Sequence, residues 1–319
     1  MNRNSSIWQY LRRTICFALA LLLLFSVPST VLAATYTASN AEEMESSWAA
    51  ASSNEDDYNF IEITNDIDLS GTTLVAETHK WYYVESQDDA DYELSNVRID
   101  GGDDGGVVYI KTDVTSEEGA ALTVGGDVVV NVIGDVSTTS QETDDGNNPV
   151  IEVYDDASVT VNGDVTAAEA GIIVSDSRIT VTGDVTLTSE GDDYNNFVID
   201  AYNSTVTVNG DVQTEELGIL AMEESDVTIN GDVELISKDE VDMHNAALTS
   251  NSDSKIYVTG DVTSEEGGLT ANDARIIVDG NVDVEGQSAF VSDSIGLIKG
   301  SYTATPSEDN LDPNNGVWV

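Results

Sequence analysis

The sequence predicts an all-β fold, a three-sided solenoid of parallel strands in coils of about 20–29 residues, with a short helix at its N-terminal end. Three observations predict it. Apolar residues recur in short alternating runs, among them Val159-Thr-Val161, Ile179-Thr-Val181, Val206-Thr-Val208 and Val227-Thr-Ile229. Such alternation marks strands with one buried face. Each run is followed by the same punctuation, Gly-Asp-Val, at Gly134, Gly163, Gly183, Gly210, Gly231 and Gly260, with Gly280-Asn281 closing the series. The glycines are spaced by 29, 20, 27, 21, 29 and 20 residues, so a long unit alternates with a short one. Repetition on this scale, with several strand segments per unit, is the mark of a solenoid.

Alignment on the glycine produces the third observation. Positions four before, two before and two after it are Val or Ile in all seven units, from Val130, Val132 and Val136 to Ile276, Val278 and Val282. Stacked coils put equivalent residues about 4.8 Å apart, so these columns read as interior ladders of β-branched side chains. The glycine is expected to supply a positive φ at the corner between two strands.

The elements follow in order. Residues 1–33 read as a secretory signal peptide: Arg3, Arg12 and Arg13, an apolar run from Ile15 to Val27, then small residues to Ala33. The apolar core is 13 residues, short of the roughly 20 that span a bilayer. Cleavage after Ala33 takes away the single cysteine, Cys16, and leaves 8 cations against 60 acids, a charge of −52 compared with −49 for the full 319 residues. The mature chain therefore has no thiol chemistry and no transmembrane segment. Its acidity argues against nucleic acid and anionic lipid as partners.

Residues 34–56 read as an N-terminal cap. Ser39-Asn-Ala-Glu42 has the form of a capping box, and Ala41, Met44, Trp48 and Ala51 share one face of a helix over 40–52. That helix covers strand edges that a solenoid would otherwise expose. The solenoid occupies 57–300, with no coil phase assignable between 68 and 125, and 301–319 forms a C-terminal cap or loose tail.

The run Val159-Thr-Val-Asn-Gly-Asp-Val165, with its intervening strand Gly171-Ile-Ile-Val174, resembles the right-handed parallel β-helix proteins of the pectin-lyase-like superfamily, above all repetitive exported or surface proteins of Gram-positive bacteria. Phe60–Ile67 and Asn96–Gly101 fit the same frame as opening strands. The resemblance implies a right-handed β-helix and leaves activity open, because the superfamily hosts lyases, hydrolases, adhesins and stalks alike. Its hydrolases carry a His-Gly and an Arg-Ile-Lys signature, and neither occurs in this chain.

Candidate sites are few. The column Asp135, Asp164, Asp184, Asp211, Asp232, Asp261 either binds divalent cations between coils or accepts backbone N–H groups in its own turns. The long coils carry acidic, amide-rich insertions that align Asp145, Asp193 and Asp242, and also Asn148, Asn196 and Asn245. Their oxygens suit Ca²⁺, the one cofactor the sequence suggests; the bland alternative is solvated loops over a buried Asn ladder. Trp81, Tyr82 and Tyr83, if exposed, suit stacking on the sugar rings of an extracellular glycan. Thr160, Thr180, Thr207 and Thr228 align as an ice-binding row would, but the row passes to Tyr257 and Ile277. Lys255 and Asp226 align as a surface ion pair. The expectation is a secreted, non-enzymatic solenoid serving as a structural, adhesive or ligand-presenting module at or near the cell surface. The alternative is a carbohydrate-active enzyme, which a carboxylate pair in a groove would favour.

Overall fold

The structure, a computed structural model, describes residues 34–305 apart from 88–89, 140–147, 189–195, 216, 237–245, 266 and 286–287. Residues 1–33, read above as a signal peptide, and residues 306–319 lie outside that set. Three parallel sheets wind into a β-solenoid of about ten turns. Face A has twelve strands from Ala34–Ala38 to Ile295–Ile298, face B eleven from Ile67–Asp68 to Tyr302–Thr305, and face C ten from Leu74–Val75 to Ala289–Val291. One coil runs along Ala170–Ser175 on face C, Arg178–Val181 on face A and Val185–Leu187 on face B, then re-enters face C at Phe197–Tyr202.

The repeat columns are the interior. Val159, Ile179, Val206, Val227, Ile256 and Ile276 stack in register on face A. All twenty-one column positions are no more than 1% exposed. Nothing but β-branched aliphatic side chains fills these ladders, and the alternating residues Thr160, Thr180, Thr207 and Thr228 point outward.

The corner glycines correct the sequence reading. None of the seven has positive φ. The left-handed conformation falls instead at the corner from face C to face A, on Asp176 (φ 51°), Asn203 (46°) and Asp273 (52°), residue types that tolerate it. The Gly-Asp glycine is required for space. A Cβ at Gly183 would stand 2.6 Å from the carbonyl oxygen of Gly163 and closer still to Asp164 Oδ1.

The cap helix, α1 (Ala41–Ser53), starts one residue later than expected. Asn40 is its N-cap, with Oδ1 accepting the Glu43 N–H at 3.0 Å. Glu43 reaches back to accept from Ser39 N (2.8 Å) and Ser39 Oγ (2.7 Å). The box is thus shifted by one position: Ser39 and Asn40 are equally good N-cap types, and the extended backbone at Asn40 makes it the cap. Met44, Trp48 and Ala51 are buried as the periodicity implies. A strand the sequence reading had not assigned, Ala34–Ala38, precedes the helix and joins face A beside Tyr58–Ile63.

Residues 68–125 also have their coils. Trp81–Ser86 and Val107–Lys111 lie on face A, Leu94–Ser95 and Val114–Ser116 on face B, Val97–Asp100 and Leu122–Gly125 on face C. Thr112-Asp113-Val114 stands where later coils have Gly-Asp-Val, and Asp113 Oδ1 accepts the N–H of Asp135 at 2.8 Å.

Candidate functional site

The aspartate column is a hydrogen-bonded ladder between coils. Asp135 Oδ1 accepts from Asp164 N, Asp164 from Asp184 N, Asp184 from Asp211 N, Asp211 from Asp232 N and Asp232 from Asp261 N, all at 2.7–2.9 Å. Each carboxylate therefore reaches the next coil, not its own turn, and one oxygen of each is committed to the backbone above. Charge-assisted bonds of this kind are among the stronger ones in proteins.

The long-coil acids Asp145, Asp193 and Asp242, and Asn245, lie outside the described residues. Of their described neighbours, Asn148 is half-buried and donates from Nδ2 to Glu169 Oε2 at 3.2 Å, and Asn196 is 2% exposed. Among the described residues no group of three or more His, Cys, Asp or Glu is arranged to hold a metal ion.

The aromatic run divides by the strand's alternation. Tyr82 points inward and is fully buried; its ring stacks on Trp48 (4.2 Å, 4°) and its hydroxyl meets Ser52 Oγ at 2.9 Å. It closes the cap and is withdrawn from any ligand. Trp81 and Tyr83 point outward on face A and join a cluster with Tyr58, Phe60 and Tyr109. Tyr83 is sandwiched between Phe60 (4.8 Å, 14°) and Tyr109 (5.0 Å, 3°), so both of its ring faces are occupied and it is 8% exposed. Burial first, then the neighbouring Tyr109 and Tyr58 hydroxyls, push its phenol up to about 12. Trp81 packs between Tyr58 (5.7 Å) and Tyr109 (6.0 Å) and stays partly exposed.

This cluster opens a longer surface. The central outward column of face A passes from Phe60, Tyr83 and Tyr109 through the threonines to Tyr257, Ile277 and Leu297. Face A is thus aromatic at one end, polar and β-branched in the middle and aliphatic at the other, where Ile295 and Leu297 are about half exposed. Its charge is unlike that of the chain. From Tyr58 to Lys299 its outward positions hold Lys111, Arg178, Lys255, Arg275 and Lys299 against Glu62, Glu85, Asp226 and Asp279. Five of the 8 cations left after residue 33 stand on this face, with only four of the 60 acids. Three acids are paired across strands: Lys111–Glu85 at 2.9 Å, Lys255–Asp226 at 3.3 Å and Lys299–Asp279 at 2.5 Å. The Lys255–Asp226 pair is the surface ion pair read from the sequence, with both side chains at least a third exposed; exposed pairs contribute about 0–1 kcal/mol.

One residue went unnoticed in the sequence. Asp200 faces outward on face C between Ile173 and Leu220 of the adjacent coils, and burial pushes its carboxyl above the usual aspartate range. Glu152 lies two strands away in the same column, about 10 Å by strand spacing. The signal was an acid with an apolar neighbour on the coil to either side, Ile173 and Leu220, visible only once face C is in register.

Comparison with family models, with curated proteins and with solved structures yields no match. The class is therefore defined by the fold alone: a parallel β-solenoid built on internal repeats. Among the described residues no helix is long and apolar enough to cross a membrane.

Proposed function

We propose that this protein is an exported, non-enzymatic β-solenoid of the pectin-lyase-like kind, acting as a structural or adhesive rod whose contact surface is face A. The observation that carries the reading is the near-neutral charge of face A, flanked by apolar ends, on a chain of net charge −49. Exposed apolar groups gathered on one face of a soluble protein are a mark of an interaction site. The partner class is an uncharged extracellular polymer or another protein surface; the chain's overall acidity opposes polyanions.

The test is retention of the purified protein on cell-wall fragments and on a glycan array, comparing wild type with Thr180→Asp plus Thr207→Asp. Loss of retention in the variant supports the reading. Undiminished retention removes face A from it. Export is tested by N-terminal sequencing of protein recovered from the medium, with a new terminus at Ala34 expected. The acids Asp145, Asp193 and Asp242 remain the proposed Ca²⁺ ligands.

A second reading, a carbohydrate-active enzyme, is favoured by Asp200, whose raised pKa beside apolar neighbours suits a general acid with Glu152 as its partner. Release of reducing ends from a neutral glycan, abolished in Asp200→Asn, would support it over the first reading.

A further inference from the structure

We infer that face A is the seam of a two-fold homodimer. This rests on the reading of face A as the contact surface and names its occupant as a second copy of this chain. Two molecules of net charge −49 repel one another overall. Of the three faces, face A is the one whose described outward cations outnumber its acids, five to four with three ion pairs among them, and so opposes a second copy least.

The surface also matches itself. A two-fold interface brings one patch against the same patch on the partner. The threonine rows form the middle of face A and apolar groups form both ends, so a copy related by a two-fold axis meets threonine with threonine and apolar end with apolar end. Threonine and the aliphatic side chains are branched and short, which suits two flat sheets packing about 10 Å apart. The aromatic end fits protein better than sugar. Tyr83 spends both ring faces on Phe60 and Tyr109, leaving its edge and aliphatic neighbours to pack against side chains.

The area suffices. A four-residue strand is about 13 Å long and eleven strands rise about 50 Å, roughly 650 Å² per copy. The total, about 1,300 Å², falls within the size class of specific protein interfaces. Outside the seam the two copies still repel, so association is expected to tighten as salt rises through screening.

The experiment is sedimentation velocity on the full chain at 20 and 300 mM NaCl. Wild type is expected to run as a dimer, with a dissociation constant at least tenfold lower at the higher salt. Thr180→Asp plus Thr207→Asp should shift it to monomer, while Thr166→Asp plus Thr186→Asp, the same charge change on face B, should leave the dimer intact. Circular dichroism checks that both variants fold. Should the face A variant misfold, a short bis-maleimide cross-linker gives an independent answer on the chain carrying Cys16→Ser, which has no other cysteine. Thr180→Cys should cross-link to its partner copy and Thr186→Cys should not. A wild type that stays monomeric at 100 μM in high salt overturns the inference, as does a dimer indifferent to the face A charges or cross-linked through face B alone. A monomer that still binds cell-wall fragments through face A overturns self-association and leaves the broader reading standing.

Discussion

Gly183 has no room for a side chain, and the reason lies one coil below it. The Asp164 carboxylate rises into the space a Cβ would fill, on its way to the N–H of Asp184. Gly183→Ala must push that carboxylate or the Gly163 carbonyl aside, and overpacking of this kind costs about 1–3 kcal/mol; urea melts should resolve it. The early coil supplies the internal control. Following the register Glu85↔Lys111, the coil beneath Thr112-Asp113 has Ser86-Gln87 and no aspartate, and there a threonine takes the glycine's place. A second residue-scale prediction concerns Asp200. Its folded pKa lies above the ordinary value near 3.8, so between the two the folded state binds more protons than the unfolded. Stability is lost as pH rises through that window and stays lower above it. Asp200→Asn should raise Tm at pH 7, with the gain vanishing below pH 3.8.

At the scale of the element, α1 and the first coils show what sequence can and cannot disclose. The helix was legible because Met44, Trp48 and Ala51 repeat at helical spacing; its start was not, because Ser39 and Asn40 both suit an N-cap and only the backbone decides. The solenoid was legible because Val or Ile recurs two and four residues before each Gly-Asp. Coils between 68 and 125 were hidden by the loss of that glycine, replaced by Thr112 where no aspartate lies beneath. Tyr82 and Tyr83 look alike in the sequence, yet alternation sends one under the cap and the other onto face A. Face A itself was illegible because its neutrality is summed across eleven strands and no single window contains it. The cap makes a measurable claim. Trp48 stacks on Tyr82 and donates from Nε1 to the Val75 carbonyl at 2.7 Å. Trp48→Ala should cost about 3–5 kcal/mol, as large aromatic truncations do, and should promote aggregation by uncovering the first strands' edges, read by light scattering.

For the whole molecule, charge dominates. Sixty acids against 11 cations make self-repulsion a standing load on the folded rod. Tm should therefore rise between 10 and 300 mM NaCl. The ladder Asp135 to Asp261 holds up because each carboxylate is bonded to the coil above. Asn281 continues it without charge, accepting from Ser301 N at 3.1 Å. Calcium is separated from screening by a melt in millimolar CaCl₂ against ionic-strength-matched NaCl. A ligand stabilises only by binding the folded state preferentially, so an added gain lost on replacing Asp145, Asp193 and Asp242 with Asn would place the ion on the long-coil loops. Coincident curves would remove it.

The alternation of long and short coils has a mechanical consequence. Bonds between coils run along the rod, so a pull on the C-terminal end loads the last coil alone and peels it from the one beneath. Each coil then lengthens the tether by its own contour, about 3.3–3.6 Å per residue. The spacings of 29, 20, 27, 21, 29 and 20 residues translate into steps of roughly 100 and 70 Å in turn. A single molecule drawn out under an optical trap should write its own repeat as a limping staircase, long step after short, read from the C-terminus toward the cap. Uniform steps, or one cooperative rupture, would mean that the coils do not part singly.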